Sequence, residues 1–88
     1  MSIAEKIKSI LVSDVYVEVP ADRMKEDDSM RDVFGVDSLG FVELRVQVED
    51  AFGISISDDE FTPENFATIR SLSTLVESRQ LSGSPAAS

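Results

Sequence analysis

Residues 37–53 read Asp37-Ser38-Leu39-Gly40-Phe41-Val42-Glu43-Leu44-Arg45-Val46-Gln47-Val48-Glu49-Asp50-Ala51-Phe52-Gly53, and this stretch decides the fold. It reads as a helix that begins at Asp37 or Ser38, either of which suits an N-cap. Gly53 stops it after Phe52. On a wheel of about 100° per residue, Phe41, Leu44, Val48, Ala51 and Phe52 gather on one side. Leu39, Val42 and Val46 gather on another, roughly 160° away. A helix in a small bundle normally buries one face, and this one carries a second, smaller apolar stripe. Glu43 and Asp50 lie along one edge of that stripe and Glu49 along the other. An apolar strip with a charged rim is how a transient docking surface is built, with affinity from the apolar groups and steering from the charges. The alternative is a central helix buried on both sides, in which case the three carboxylates need buried partners.

Outward from this helix the chain continues to read as helical. Ser2 and Glu5 form a capping-box pattern, followed by Ile3, Ile7, Ile10 and Leu11 on one face of a first helix ending near Val15. Tyr16 to Val36 has poor periodicity, contains Pro20 and the acidic run Glu26-Asp27-Asp28, and reads as a long loop anchored by Val19, Met24, Met30, Val33 and Phe34. A loop of this length in a compact domain is more often functional than not, unless it hides a short helix. Ile54 to Ser57 alternates but is too short for a strand. A short third helix is expected around Asp59 to Phe66, with Thr62-Pro63 as a place where it could restart. A fourth starts at Thr68 and buries Ile69, Leu72, Leu75 and Val76. The expected fold is all-α, a four-helix bundle with a long first loop and a short third helix. It occupies residues 1–81, with 82–88 as a small, polar, flexible C-terminal tail.

The bulk composition narrows the chemistry. A chain of 88 residues suits one domain. It contains no cysteine and no histidine, so disulfides, thiolate metal sites and the Ser-His-Asp and Cys-His arrangements are excluded. Any thiol chemistry must come from an added group. Paired carboxylates such as Asp58 and Asp59 are the remaining footing for a small enzyme. Asp27-Asp28 and Asp58-Asp59-Glu60 lack the spacing and glycine of a calcium loop, so no metal site is expected. No apolar run approaches a membrane span and no secretory pattern opens the chain, so the expected location is cytoplasmic. The 17 acidic and 8 basic residues give a net charge of −9. That balance disfavours nucleic acid and anionic membrane as partners and favours basic protein surfaces. It also costs stability through self-repulsion. Raising ionic strength or adding a divalent cation should therefore raise the Tm in a thermal melt, and a flat response across moderate salt would contradict this.

Ser38 stands where a loop enters the two-faced helix, and a serine at such a place is often only a cap. Its surroundings say more. Asp37-Ser38-Leu39, then Val42-Glu43-Leu44, then Glu49-Asp50-Ala51-Phe52-Gly53-Ile54 resemble the signature and second helix of acyl carrier proteins. The resemblance runs from about Ile3 to Arg79 and includes the long loop. It implies that Ser38 receives 4′-phosphopantetheine from coenzyme A, and that acyl groups are held on that arm as thioesters. It implies that Asp37 lies at the surface read by the phosphopantetheinyl transferase. It further implies that Leu39, Val42 and Val46 face partner enzymes, and that Glu43, Glu49 and Asp50 meet their basic patches. Leu44, Val48 and Phe52 match core positions, and acyl chains are expected to shelter near Leu44, Val48 and Phe61. The expected protein is a monomeric carrier rather than an enzyme. Its expected partners are the transferase, an acyltransferase or ligase, a ketosynthase and tailoring enzymes. The polar end suggests a discrete protein, although it reads equally as a linker remnant.

The sequence departs from the pattern of fatty-acid carriers in three places. Gly40 replaces a common acidic residue, at a helix cost of about 1 kcal/mol or less. Arg45 puts a positive charge into a usually acidic helix, and Met30-Arg31-Asp32-Val33-Phe34 replaces an acidic-leucine pair. These favour a carrier of polyketide or other specialised biosynthesis over the housekeeping fatty-acid carrier. A peptidyl carrier of non-ribosomal synthesis stays open, and so does an acidic helical adaptor that never takes a cofactor.

Overall fold

The computed structural model describes residues 2–82, with the backbone alone for Ser82. It contains three α-helices: α1 (Ile3–Ser13), α2 (Ser38–Phe52) and α3 (Ile69–Ser82), with a short 3-10 turn at Ala21–Arg23. Among the described residues there is no strand, only an isolated antiparallel bridge between Ser29 and Thr68. The expected flexible tail, 82–88, lies outside the described residues except for Ser82, which ends α3.

Each helix starts where its side chains can satisfy orphan backbone N–H groups. The Ser2 hydroxyl accepts from the Glu5 N–H at 3.1 Å, while the Glu5 carboxylate meets Lys8 Nζ at 3.3 Å. Before α3, Thr68 Oγ1 accepts from Ser71 N–H at 3.0 Å, and Thr68 N–H donates back to Ser71 Oγ at 3.1 Å. α1 is two residues shorter than the sequence suggests. Its end closes through Tyr16, which adopts a left-handed φ of 64°, and Val17 N–H then donates to the Leu11 carbonyl at 2.9 Å. Glycine is the usual residue at such a closure. A residue with a Cβ there bears a strain on the order of 1–2 kcal/mol.

The expected short third helix does not form. Two single turns stand in its place. Ser57 and Glu60 cap each other in the first, with Ser57 N–H to Glu60 Oε1 at 3.0 Å and Glu60 N–H to Ser57 Oγ at 3.2 Å. Thr62 caps the second, its hydroxyl accepting from Asn65 N–H at 3.2 Å. Pro63 separates them: it has no N–H to donate to the Asp59 carbonyl, and it pushes Thr62 out of the helical region. The four-helix expectation is thus corrected to three α-helices among the described residues, with the long loop and these turns completing the enclosure.

α1 packs against both α2 and α3. The core joins Ile7 and Leu11 of α1, Leu44 and Val48 of α2, and Ile69, Leu72 and Val76 of α3 with Met30 and Ile56 from the connections. Met24, Met30 and Phe34 anchor the first loop as expected, and Val17 and Val36 join them. Val33 does not; it is 51% exposed. Residues 29–34 make one helix-like turn, with Val33 N–H on the Ser29 carbonyl at 2.9 Å. Met30 and Phe34, four apart, share its inner side, which turns Val33 outward.

An ion pair ties this loop to α3. Arg70 Nε donates to Asp27 Oδ1 at 2.6 Å and its Nη2 to Oδ2 at 3.3 Å, and Arg70 N–H reaches the Glu26 carbonyl at 2.9 Å. The hydrogen bond from Arg70 holds the Asp27 carboxyl below its ordinary range. A depressed folded-state value means that the stabilisation is present above the unfolded aspartate value and is lost as pH falls through the folded one. Asp27→Asn is therefore expected to lower the Tm slightly at neutral pH, the pair being exposed. It should also reduce the further Tm drop between about pH 5 and pH 2. Parallel melts of the two proteins across that range check it; identical acid limbs would contradict it.

Candidate functional site

The site is built on the first turn of α2. Asp37 is the N-cap, and its Oδ1 accepts from Gly40 N–H at 2.8 Å. Ser38 is the first helical residue, exposed, and its hydroxyl forms no hydrogen bond with another described residue. The sequence left the cap open between these two; the structure gives it to Asp37. Gly40 is closely packed. A Cβ there would lie 3.0 Å from Val36 Cγ1 and 3.3 Å from Val15 Cγ1, so the glycine lets the loop close directly onto the turn that carries Ser38.

Ser38 lies on the lip of a cleft of about 430 Å³ between α2 and the paired turns. Phe41 and Val42 line it from α2, Phe61 and Phe66 from the turns, and Arg31 from the loop. Phe61 and Phe66 pack edge to face, with ring centroids 4.9 Å apart. Arg45 holds this wall in position: its guanidinium lies 5.0 Å above the Phe61 ring, pairs with Asp58 at 3.0 Å and donates to the Ile56 carbonyl. Leu44 and Val48, expected beside a sheltered acyl chain, are wholly buried in the core and do not line the cleft.

Along the outer face of α2, Leu39 is 81% exposed and Val42 and Val46 are each 50% exposed. The second stripe found on the helical wheel is therefore open to solvent, and the alternative of a helix buried on both sides fails. Glu43 is exposed and accepts from Gln47 Nε2 at 2.7 Å, and Asp50 is exposed. Glu49 differs from both. It is half-buried, and its Oε2 accepts from Ile56 N–H at 2.8 Å and lies 4.0 Å from Arg45 Nε. Its first task is to fix the chain after Gly53. Ala51, assigned to the core side by the wheel, is exposed.

Sequence reasoning missed Arg31 and Phe66 as cleft residues, and it read Arg45 as a mere charge reversal. Asp58, Ile56 and Phe61, which Arg45 engages beside Glu49, lie on the far side of the Gly53 turn, and periodicity within one helix carries no signal of that. Among the described residues no group of three or more acidic side chains is arranged to hold a metal. No described helix is long and apolar enough to cross a membrane.

The family model for the phosphopantetheine attachment site matches residues 5–76. The chain belongs to this family. A carrier of this kind is not itself a catalyst, and the group it carries is 4′-phosphopantetheine. Three solved structures place the fold. A chain in the complex of engineered Bradyrhizobium japonicum glycine:[carrier protein] ligase with the carrier protein from Agrobacterium tumefaciens and ATP matches at TM-score 0.79 and 23% identity. The alignment covers 88% of this chain and 99% of that one. The holo acyl carrier protein of Nitrosomonas europaea matches at TM-score 0.77 and 24% identity, covering 94% and 100%. The apo form of KstB-PCP is 31% identical at TM-score 0.71, covering 89% and 86%. The residues present fit such a group: the exposed Ser38 hydroxyl has no hydrogen-bond partner among the described residues, and the adjoining cleft has apolar walls.

Proposed function

We propose that Ser38 is the attachment serine and that this carrier presents acyl groups to enzymes of polyketide or other specialised biosynthesis. The observation that carries the first part is the exposed Ser38 hydroxyl, released from capping by Asp37, at the mouth of the cleft and beside the apolar strip. In the attachment reaction the Ser38 oxygen bonds to the phosphorus of coenzyme A that bears pantetheine. The bond from that phosphorus to the pyrophosphate bridge breaks, 3′,5′-adenosine bisphosphate leaves, and the hydroxyl proton passes to a base of the transferase. When bound, the arm supplies a terminal thiol on which an acyl group is held as a thioester. The chain's own residues orient and advertise it. α2 fixes the attachment point, Asp37 flanks it at the surface read by the transferase, and Leu39, Val42 and Val46 give partner enzymes an apolar footing. Glu43 and Asp50, with Glu49 to a lesser degree, draw basic patches toward that footing. Contacts of this kind allow modest affinity and quick exchange, as a shuttle requires.

Gly40 and Arg45 support the specialised over the housekeeping role: one removes a rim charge beside Ser38, and the other commits a cation to holding the cleft wall. The proposed partners are the phosphopantetheinyl transferase, an acyltransferase or ligase, a ketosynthase and tailoring enzymes, met in the cytoplasm by a monomer. Intact-mass measurement after incubation with coenzyme A and a broad-specificity transferase tests the attachment. Gain of one phosphopantetheine by the folded protein is expected, and failure to gain it would leave the adaptor reading in its place.

A further inference from the structure

Tyr16 holds a left-handed backbone conformation with 81% of its surface exposed. The conformation closes the end of α1, with Val17 N–H on the Leu11 carbonyl, but that closure needs only the backbone, and the Tyr16 side chain itself stays outside the core. Tyr16 and the exposed Val33 line a second groove, of about 470 Å³, between the first loop and the start of α2. This groove shares no residue with the cleft at Ser38, yet Asp37 and Gly40 line it, so it runs up to the attachment point from the other side. Glu18, Asp32 and Asp37 add three carboxylates to its lining, and no lysine or arginine does. None of the three is ion-paired with another described residue.

We propose that this groove is a docking site for the phosphopantetheinyl transferase, separate from the α2 strip, which takes a basic segment that lays an apolar side chain against Tyr16 and Val33. The inference rests on Ser38 being the attachment serine. The occupant follows from chemistry. Coenzyme A is polyanionic, so an enzyme that brings its pyrophosphate to Ser38 presents cations around that hydroxyl. Those cations face Asp37, and the carboxylates of Glu18 and Asp32 extend the complementary charge down the groove. An exposed aromatic ring beside an aliphatic side chain is a usual anchor for such a contact.

Initial rates of phosphopantetheine gain, measured by intact mass with coenzyme A and a broad-specificity transferase at limiting carrier, test this. Tyr16→Gly removes the ring and keeps the backbone conformation. Its kcat/KM is expected to fall about tenfold through KM, with a Tm equal to wild type or higher because the strain is relieved. Val33→Ser and Asp32→Asn should each lower kcat/KM several-fold, Asp32→Asn with a weaker salt dependence. Val12→Ser, exposed on α1 outside the groove, should leave the rate unchanged. If wild type is modified and both Tyr16→Gly and Val33→Ser stay within about twofold of it, the groove is not a docking site while Ser38 stands. A rate loss that tracks a fall in Tm in both variants assigns them a structural role and equally overturns the proposal. If wild type gains nothing, the attachment reading itself fails.

Discussion

Ser38→Ala is expected to gain no phosphopantetheine under conditions that modify the wild type completely, and to melt at nearly the same temperature. The two halves of this result rest on different atoms. Loss of modification follows from the proposed attachment through the hydroxyl oxygen, and no neighbouring side chain takes its place: Asp37 is engaged with Gly40 N–H, and Leu39 and Gly40 have no nucleophile to offer. Retained stability follows because the helix is capped one residue earlier. Removing a capping serine typically costs about 1 kcal/mol. Ser38 does not cap, is exposed, and gives way to the best helix former. The change should stay within about 0.5 kcal/mol. Intact mass and a thermal melt on the same sample read both. Modification of the alanine variant would remove the site, and a large loss of Tm would show that the hydroxyl holds the fold after all.

The second large effect separates the two apolar faces of α2. Leu44 is wholly buried in the core to which α1 and α3 also contribute, while Leu39 is 81% exposed on the same helix. Truncating a buried leucine loses its transfer energy and leaves a cavity, together about 2–5 kcal/mol. For a domain of this size a loss of about 3 kcal/mol lowers the Tm by roughly 15 °C. Leu44→Ala should show that drop. Leu39→Ala should move stability by no more than about 0.5 kcal/mol and instead slow acyl transfer to partner enzymes. Melting curves for both variants, beside transfer rates for the folded one, check the division. Equal Tm values, or a Leu39→Ala variant that unfolds, would mean that the two faces were assigned wrongly.

How far the sequence could be read depended on how local each cause was. The bounds of α2 were legible because the cap at Asp37 and the left-handed Gly53 sit at its ends. Its two faces were legible because a helix converts spacing into angle, and Leu44 and Val48 emerged buried while Leu39, Val42 and Val46 emerged exposed. The start of α1 and the stripe of α3 were legible for the same reason. The short third helix was not, because its apolar and capping residues fit a helix and only Pro63 broke it into two turns. Val33 looked like an anchor until the turn at 29–34 faced it outward. Glu49 looked like a rim charge until Ile56 N–H claimed it, and that contact crosses the turn at Gly53.

By itself, then, the sequence determined the class of fold, the helix that matters, its open apolar strip and the serine at its head, since all of these are set within a turn or two of chain. Only the tertiary structure decided which residue caps that helix, how closely Val36 and Val15 approach Gly40, how Arg45 braces the cleft at Ser38, and that Tyr16 and Val33 line a second groove on its other side. Those features arise where segments distant in sequence close upon one another, and the free energy of such closure depends on shape and reach that one-dimensional spacing does not record.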